Sequence, residues 1–310
     1  GLLIIDTPGH ESFSNLRSRG SSLCDLAILV VDIMHGLEPQ TIESIKLLLK
    51  RKTPFVVALN KIDRLYQWST SPHLDVQSTL KNQRRETYAE FEDRLNKVVA
   101  DFAMQELNVK LFYDNPDVEE YVSMVPTSAH SGDGMGDLLA YLCQYAETHL
   151  AQRLSYSDEL QATVMEVKEI HGLGTTIDVI LVNGTLHEGE TIIIAGQEGP
   201  IVTQIRGLLM PAPMQELRVK NHYDRIKTLR AAQGVKIIAK DLEKSLAGLP
   251  LFASNHPAEI EYYKEEARRG LEATLSGIHV QDIGVYVQAS TLGSLEALLI
   301  FLKSQKIPYS

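Results

Sequence analysis

Along the first half of the chain, short runs of consecutive apolar residues alternate with stretches whose apolar positions recur every three or four residues. The runs Leu2–Ile5, Leu26–Asp32, Phe55–Asn60 and Val122–Pro126 read as strands buried on both faces, the pattern of a parallel sheet. Helical stretches follow at about Phe13–Gly20, Thr41–Lys50 and Gly136–Leu150. This βαβ alternation predicts a doubly wound α/β domain over residues 1–153. A long charged segment lies between Asp63 and Ser128. Within it Phe91, Leu95, Val98 and Phe102 fall at helical spacing, which predicts an amphipathic helix with those side chains in ordinary core.

From about Tyr156 the period shortens to two. Ala162–Val167, Thr175–Val182, Thr191–Ala195, Ile201–Ile205 and Val235–Ala239 are strand candidates. Asn183-Gly184 has the composition of a two-residue hairpin turn. His171-Gly172, Glu188-Gly189 and Gly196 punctuate the rest. Residues 154–253 therefore read as a small antiparallel β-barrel. After Pro250 the pattern changes again. Pro257 opens a helix with one face formed by Ile260, Tyr263, Ala267, Leu271 and Leu275; Gly270 inside it costs roughly 1 kcal/mol against Ala. Gly284–Ala289 reads as a strand, and Ser294 can cap a helix carrying Leu295, Leu298, Leu299 and Leu302. Residues 254–310 are expected to be a linker helix and the start of a third, α/β domain. The fold class is thus multidomain α/β plus β. A first residue inside a buried strand, and a last one just after a single βα unit, make a segment cut at both ends the expectation.

Composition narrows the function classes. Lys and Arg number 30 against 40 Asp and Glu, a net charge of −10, which argues against a whole-surface nucleic-acid binder but leaves room for a local RNA patch. The two cysteines, Cys24 and Cys143, form neither a disulfide framework nor a CxxC site and read as buried thiols of a cytoplasmic protein. No apolar run approaches the ~18 residues of a membrane span. The histidines show no zinc-type spacing, and no Gly-x-Ser-x-Gly elbow suggests a serine hydrolase.

Three predicted strands end in chemically informative turns. Asp6-Thr7-Pro8-Gly9-His10 stands at a carboxyl end, where open α/β sheets bind ligands. A carboxylate there can hold Mg²⁺ through water, a glycine lets a backbone N–H approach a phosphate, and a polar side chain beyond can orient an attacking water. Asn60-Lys61-Ile62-Asp63 ends another strand. A carboxylate such as Asp63 accepts both donors on the guanine edge, a pattern adenine lacks. Asn60 can bond the base or brace the loops, and the Lys61 stem can cover a purine face. Ser128-Ala129-His130 follows the last strand, where a small residue leaves a backbone N–H free to read guanine O6. Taken singly, each segment also reads as an ordinary strand-end turn. Their order on successive strands is the stronger warrant.

Together these motifs resemble the translational GTPase superfamily. Asp6 to Phe13, Val31 to Thr41 and Pro126 to His130 are similar to the initiation factor 5B/2 family, in its eukaryotic and archaeal branch. Met165–Lys168 and Gly174–Asp178 resemble that family's second domain, and Gly284–Ser294 the start of its third. The resemblance implies GTP/GDP and Mg²⁺ as ligands. Asp6 would support the metal through water, and Gly9 would donate its N–H to the γ-phosphate. His10 would orient the hydrolytic water once the ribosome positions it. Asn60, Lys61 and Asp63 would select guanine with Ser128, Ala129 and His130. Arg17 and Arg19 would lie in a switch region facing ribosomal RNA, or on a plain solvated helix face. The implied partners are the ribosomal subunits and their RNA, other initiation factors, and initiator tRNA through domains outside this sequence. The implied state is a monomer without membrane contact, and the implied role is promoting subunit joining with GTP hydrolysis.

The sequence also departs from the family. No Gly-x-x-x-x-Gly-Lys-[Ser/Thr] phosphate loop occurs; only Gly184 and Gly189 show the glycine spacing, followed by Glu190. The first switch is missing as well. The chain by itself is therefore expected to bind nucleotide poorly and hydrolyse almost none. Two other readings stand beside the initiation GTPase: a naturally truncated, non-hydrolysing ribosome-binding paralogue, and another translational GTPase such as an elongation or selenocysteine-tRNA factor. The α/β pattern after residue 254 favours the initiation factor over a tRNA-carrying elongation factor, which would continue as a second barrel.

Overall fold

A computed structural model of the chain describes residues 2–7, 24–170, 172, 174–211, 223–276, 284–288 and part of 295–308. The described residues from Cys24 to Ser155, with Thr7, form one unit; those from Tyr156 onward, with Leu2–Asp6, form another.

Among the described residues the first unit is built on four parallel strands: β1 (Ala27–Asp32), β2 (Phe55–Asn60), β3 (Val109–Leu111) and β4 (Val122–Pro126), in the order β1-β2-β4-β3. Helices α1 (Pro39–Arg51), α2 (Val76–Lys81), α3 (Arg85–Ala103) and α4 (Met135–His149) accompany it. Consecutive residues Val56, Val57, Ala58 and Leu59 are all buried because helices cover both faces of the sheet. Val57, Leu59 and Met124 pack with Ile45, Phe91, Val98 and Phe102 on one side. Val56, Ala58 and Val125 pack with Leu138 and Leu142 on the other. The doubly wound expectation therefore holds, and the helix expected between Asp63 and Ser128 is α3, with Phe91, Val98 and Phe102 inward. Helix α1 begins with Pro39 and ends at left-handed Lys52, whose N–H closes on the Leu48 and Leu49 carbonyls.

The run Leu2–Ile5 does not form the expected buried strand. Residues 2–7 are irregular, and Leu2, Leu3 and Ile4 are exposed. An apolar run becomes a parallel strand only when a neighbour supplies its ladder and both faces are covered. Leu2–Asp6 group instead with the second unit, and β1 pairs only with β2 among the described residues. The helix expected at Phe13–Gly20 lies outside the described residues. Cys24 is half-buried and Cys143 is exposed on α4, so the expectation of two core thiols fails for Cys143.

Among the described residues the second unit holds ten strands: β5 (Gln161–Ile170), β6 (Gly174–Asn183), β7 (Thr185–His187), β8 (Thr191–Ile194), β9 (Ile201–Gln204), β10 (Gly207–Pro211), β11 (Tyr223–Ile226), β12 (Thr228–Arg230), β13 (Gln233–Ile238) and β14 (Pro250–Ala253). Eight make an antiparallel sheet in the order β11-β10-β13-β6-β5-β14-β8-β9, while β7 and β12 form a separate ribbon. Val164, Ile177, Val179, Leu186, Ile192, Leu208, Leu229, Val235 and Leu251 share one core, to which both sheets contribute. Among the described residues no ladder joins β11 to β9. Asn183-Gly184 is not a hairpin turn. β6 pairs with β5 and β13, whereas β7 pairs with β12, so Gly184 is the corner where the chain changes sheets. Its φ of +84° and the 2.8 Å that would separate a Cβ from Leu160 Cα explain the glycine.

Helix α5 (Pro257–Ser276) follows. Its Tyr263 ring stacks on Phe252 with centroids 4.9 Å apart, and Leu271 packs against Ala195 and Leu249. Just before its start, the Ser254 hydroxyl accepts the His256 N–H and donates to Glu259 in the first turn. Beyond it, Gly284–Gln288 is not a full strand among the described residues; Val285 N–H bonds the Pro308 carbonyl. Leu295, Leu298, Leu299 and Leu302 are helical, with Leu299 and Leu302 buried.

Candidate nucleotide-binding site

Strands β2 and β4 are neighbours in register, with Val57 opposite Met124 and Leu59 opposite Pro126. Asn60 and Thr127 therefore leave the carboxyl edge of the sheet side by side. Thr127 N–H donates to Leu59 O and Ile62 N–H to Thr127 O, which extends the pairing past the strand ends. Lys61 then takes a left-handed conformation with φ of 70°, and Ile62–Arg64 form a single 3₁₀ turn anchored by fully buried Ile62. This reversal carries Asp63 back toward the turn after β4.

The two turns are joined by their side chains. Ser128 Oγ donates to Asp63 Oδ1 at 2.6 Å, and Asn60 Oδ1 accepts the Ala129 N–H at 3.1 Å. A carboxylate offers about four lone-pair positions, so Asp63 keeps acceptor capacity for two donors on a planar base edge. Asn60 takes the bracing role of its two expected roles. The Ala129 N–H is not free as expected: it is given to Asn60, and a base oxygen must share or replace that bond. Ala129 and His130 are both exposed.

Lys61 points its ammonium at Asp32, at the end of β1, with Nζ 2.6 Å from Oδ2. His35 Nδ1 lies 2.9 Å from the same oxygen, and Met34 N–H donates to Oδ1. Burial pushes the Asp32 carboxyl up, but these hydrogen bonds, led by Lys61, outweigh it and hold it down at about 2. With its head fixed, Lys61 offers its four-carbon stem as an apolar cover.

Asp32 escaped the sequence reading, as did Asp133 and Trp68. Asp133 is fully buried between Gly132 and Gly134. It accepts from Trp68 Nε1 at 2.9 Å, Ser71 N–H at 2.7 Å and Ser131 Oγ at 2.7 Å. Gly134 has φ of 69°, and a Cβ there would lie 2.0 Å from Pro126 O. The signals available in the sequence were an Asp flanked by glycines before a helix, and the single tryptophan of the chain.

Of the other expected site residues, Asp6 is exposed and in irregular chain. Gly9 and His10 lie outside the described residues, as do Arg17 and Arg19. The described residues contain no group of three metal-ligating side chains. Asp6 alone suits a hydrated Mg²⁺ only where nucleotide phosphates supply the direct ligands.

The parallel sheet covered on both faces, with the Asn60–Asp63 turn bonded to the Ser128–Ala129 turn at its carboxyl edge, has the fold of a GTPase domain. Residues 1–148 match the elongation factor Tu GTP binding domain. Eukaryotic translation initiation factor 5B of Homo sapiens is 63% identical over 310 residues, all of this chain and 25% of the human protein. The probable translation initiation factor IF-2 of Ignicoccus hospitalis is 41% identical over 309 residues, 99% of this chain and 50% of that protein. The crystal structure of GDP-bound aIF5B from Aeropyrum pernix superposes with a TM-score of 0.83 at 40% identity, covering 98% of this chain and 51% of that one. Over its whole length this chain is homologous to initiation factor 5B and archaeal IF-2, of the translational GTPase superfamily. It spans a quarter to a half of the length of these relatives.

Proposed function

We propose that this chain supplies the base-selecting part of a guanine-nucleotide site in a ribosome-dependent initiation GTPase. The observation that carries the reading is the Ser128–Asp63 hydrogen bond, which fixes a carboxylate at the edge of the sheet. Asp63 accepts the guanine N1 and N2 protons in a bidentate pair. Asn60 braces the opposite turn, and the Lys61 stem covers one face of the base. The Ala129 N–H reads O6 when the base draws it from Asn60. Adenine offers an acceptor at N1 where guanine has a donor, so Asp63 rejects it.

In the hydrolytic step, water attacks the γ-phosphorus of GTP and the bond to the β-phosphate oxygen breaks, giving GDP and phosphate. Gly9 N–H would hold the γ-phosphate and His10 would orient the water. Mg²⁺, when bound with nucleotide, supplies charge neutralisation on the phosphates, with Asp6 holding its hydration shell. The 5B and IF-2 names of the relatives support a place in translation initiation at the ribosome, with the ribosomal subunits and initiation factors as partners. Among the described residues no helix is long and apolar enough to cross a membrane.

The test is a titration of the isotopically labelled chain with GMP and with AMP. The reading expects shifts at the Ala129 and Asp63 amides with GMP and not with AMP. Equal shifts with both ligands, or none with GMP, would sink it.

A further inference from the structure

Ser128 is both donor and acceptor in the strand-end turn. Its hydroxyl donates to Asp63 Oδ1 at 2.6 Å and accepts the Ser131 N–H at 3.0 Å. A hydroxyl has one proton, so the group occupying its acceptor side decides where that proton points. That side is organised by Asp133. The Asp133 carbonyl accepts the Ser128 N–H at 2.9 Å, and its Oδ2 accepts the Ser131 hydroxyl at 2.7 Å. The same Oδ2 accepts Trp68 Nε1, and Oδ1 accepts Ser71 N–H. Trp68 and Ser71 lie 65 and 62 residues earlier, just beyond Asp63. One buried carboxylate therefore ties together the chain leaving Asp63, the Ser128 turn and the entry to α4.

A carboxylate buried among neutral donors is unfavourable unless its oxygens are well served, and an apolar side chain would fill the same space without that penalty. Its placement has a geometric result that an apolar filler lacks: both sides of the Ser128–Asp63 bond are held from one point.

We propose that Asp133, with Trp68 as its donor, is a positioning residue for base selection, holding the Ser128 hydroxyl on Asp63 so that the carboxylate meets the two-donor edge of guanine in one orientation. The inference rests on the guanine-site reading above. It follows that a base seated at Asp63 is felt at the Trp68 indole, which links the segment after Asp63 to nucleotide binding.

The test uses GMP and IMP, which differ by the 2-amino group that Asp63 would bond. The chain holds one tryptophan, so ¹⁵N-labelled indole gives a single cross-peak. In the wild-type chain that peak moves with GMP, and GMP binds more tightly than IMP. Asp133→Asn and Trp68→Phe each reduce the GMP-to-IMP affinity ratio by about tenfold or to unity, the scale of one hydrogen bond to a charged group. A brace with no bearing on base choice would lower thermal stability and leave the ratio unchanged. A wild-type chain that does not distinguish GMP from IMP overturns the guanine-site reading itself. A wild-type preference that survives intact in folded variants overturns the role of Asp133 alone. Should Asp133→Asn fail to fold, Trp68→Phe decides, because it keeps an aromatic ring in the site and lacks the N–H; Trp68→Leu, equally without the N–H, separates the loss of that donor from the loss of ring volume.

Discussion

The Lys61 ammonium sits 2.6 Å from the Asp32 carboxylate, across two strands paired so that Asp32 lies opposite Asn60. The base-selecting turn is thereby tied to the end of the neighbouring strand as well as to the turn after β4. Asp32 has a folded pKa of about 2 against an ordinary 3.8. A depressed carboxylate pKa stabilises the fold above the ordinary value, and the contribution disappears as pH falls from about 4 toward 2. Asp32→Asn should lower stability near neutral pH by about 1–2 kcal/mol, after allowing for solvent screening at half-exposed Lys61. Urea midpoints of the two chains should converge as pH approaches 2, and an unchanged gap would show that the pair does not act as described.

Gly134 sets the start of α4 against the Pro126 carbonyl, where a Cβ would meet the oxygen at 2.0 Å. Gly134→Ala should destabilise the first unit by about 2 kcal/mol or more, because both the contact and the positive φ oppose it. It should also weaken GMP binding, since Asp133 and Ser128 move with it. Thermal melting and a GMP titration check the two effects.

In the second unit Lys236 is paired with Asp178, both almost fully buried, from adjacent strands β13 and β6. Burial pushes the Asp178 carboxyl up despite the Lys236 hydrogen bond. Lys236→Met alone should cost about 3–5 kcal/mol by stranding a buried carboxylate, while Lys236→Met with Asp178→Leu should recover most of it. A double-mutant cycle in urea measures the coupling; additive effects would contradict it.

The chain carries no Gly-x-x-x-x-Gly-Lys-[Ser/Thr]. The 310-residue polypeptide by itself should therefore show negligible single-turnover GTP hydrolysis, measured as phosphate release with and without ribosomes. Hydrolysis at an ordinary GTPase rate would mean that the phosphates are held by groups other than those named here.

The strand ends were legible in the sequence because their signals are local. Phe55–Asn60 and Val122–Pro126 are compact apolar runs, and Asn-Lys-x-Asp and Ser-Ala follow them directly. Asp133 was not legible, because its meaning lies in donors more than sixty residues away. The same limit hid β3 and β12, each three residues long and too short for a period to show. Asn183-Gly184 misled for a different reason. Its composition reports a left-handed turn, which a strand changing sheets needs as much as a hairpin does. Leu2–Ile5 shows the converse: an apolar run states what could be buried, while the neighbours decide whether it is.

The most direct test of the account is Asp63→Asn, read with GMP and XMP. Xanthine carries an acceptor at position 2 where guanine carries an amino group, and an amide can donate to that acceptor while still accepting the N1 proton. The account predicts that the wild-type chain prefers GMP, and that Asp63→Asn reverses the preference to XMP with Ser128 still bonded to residue 63. If Asp63→Asn folds and prefers neither base, or keeps the wild-type order, Asp63 is not the group that reads the base.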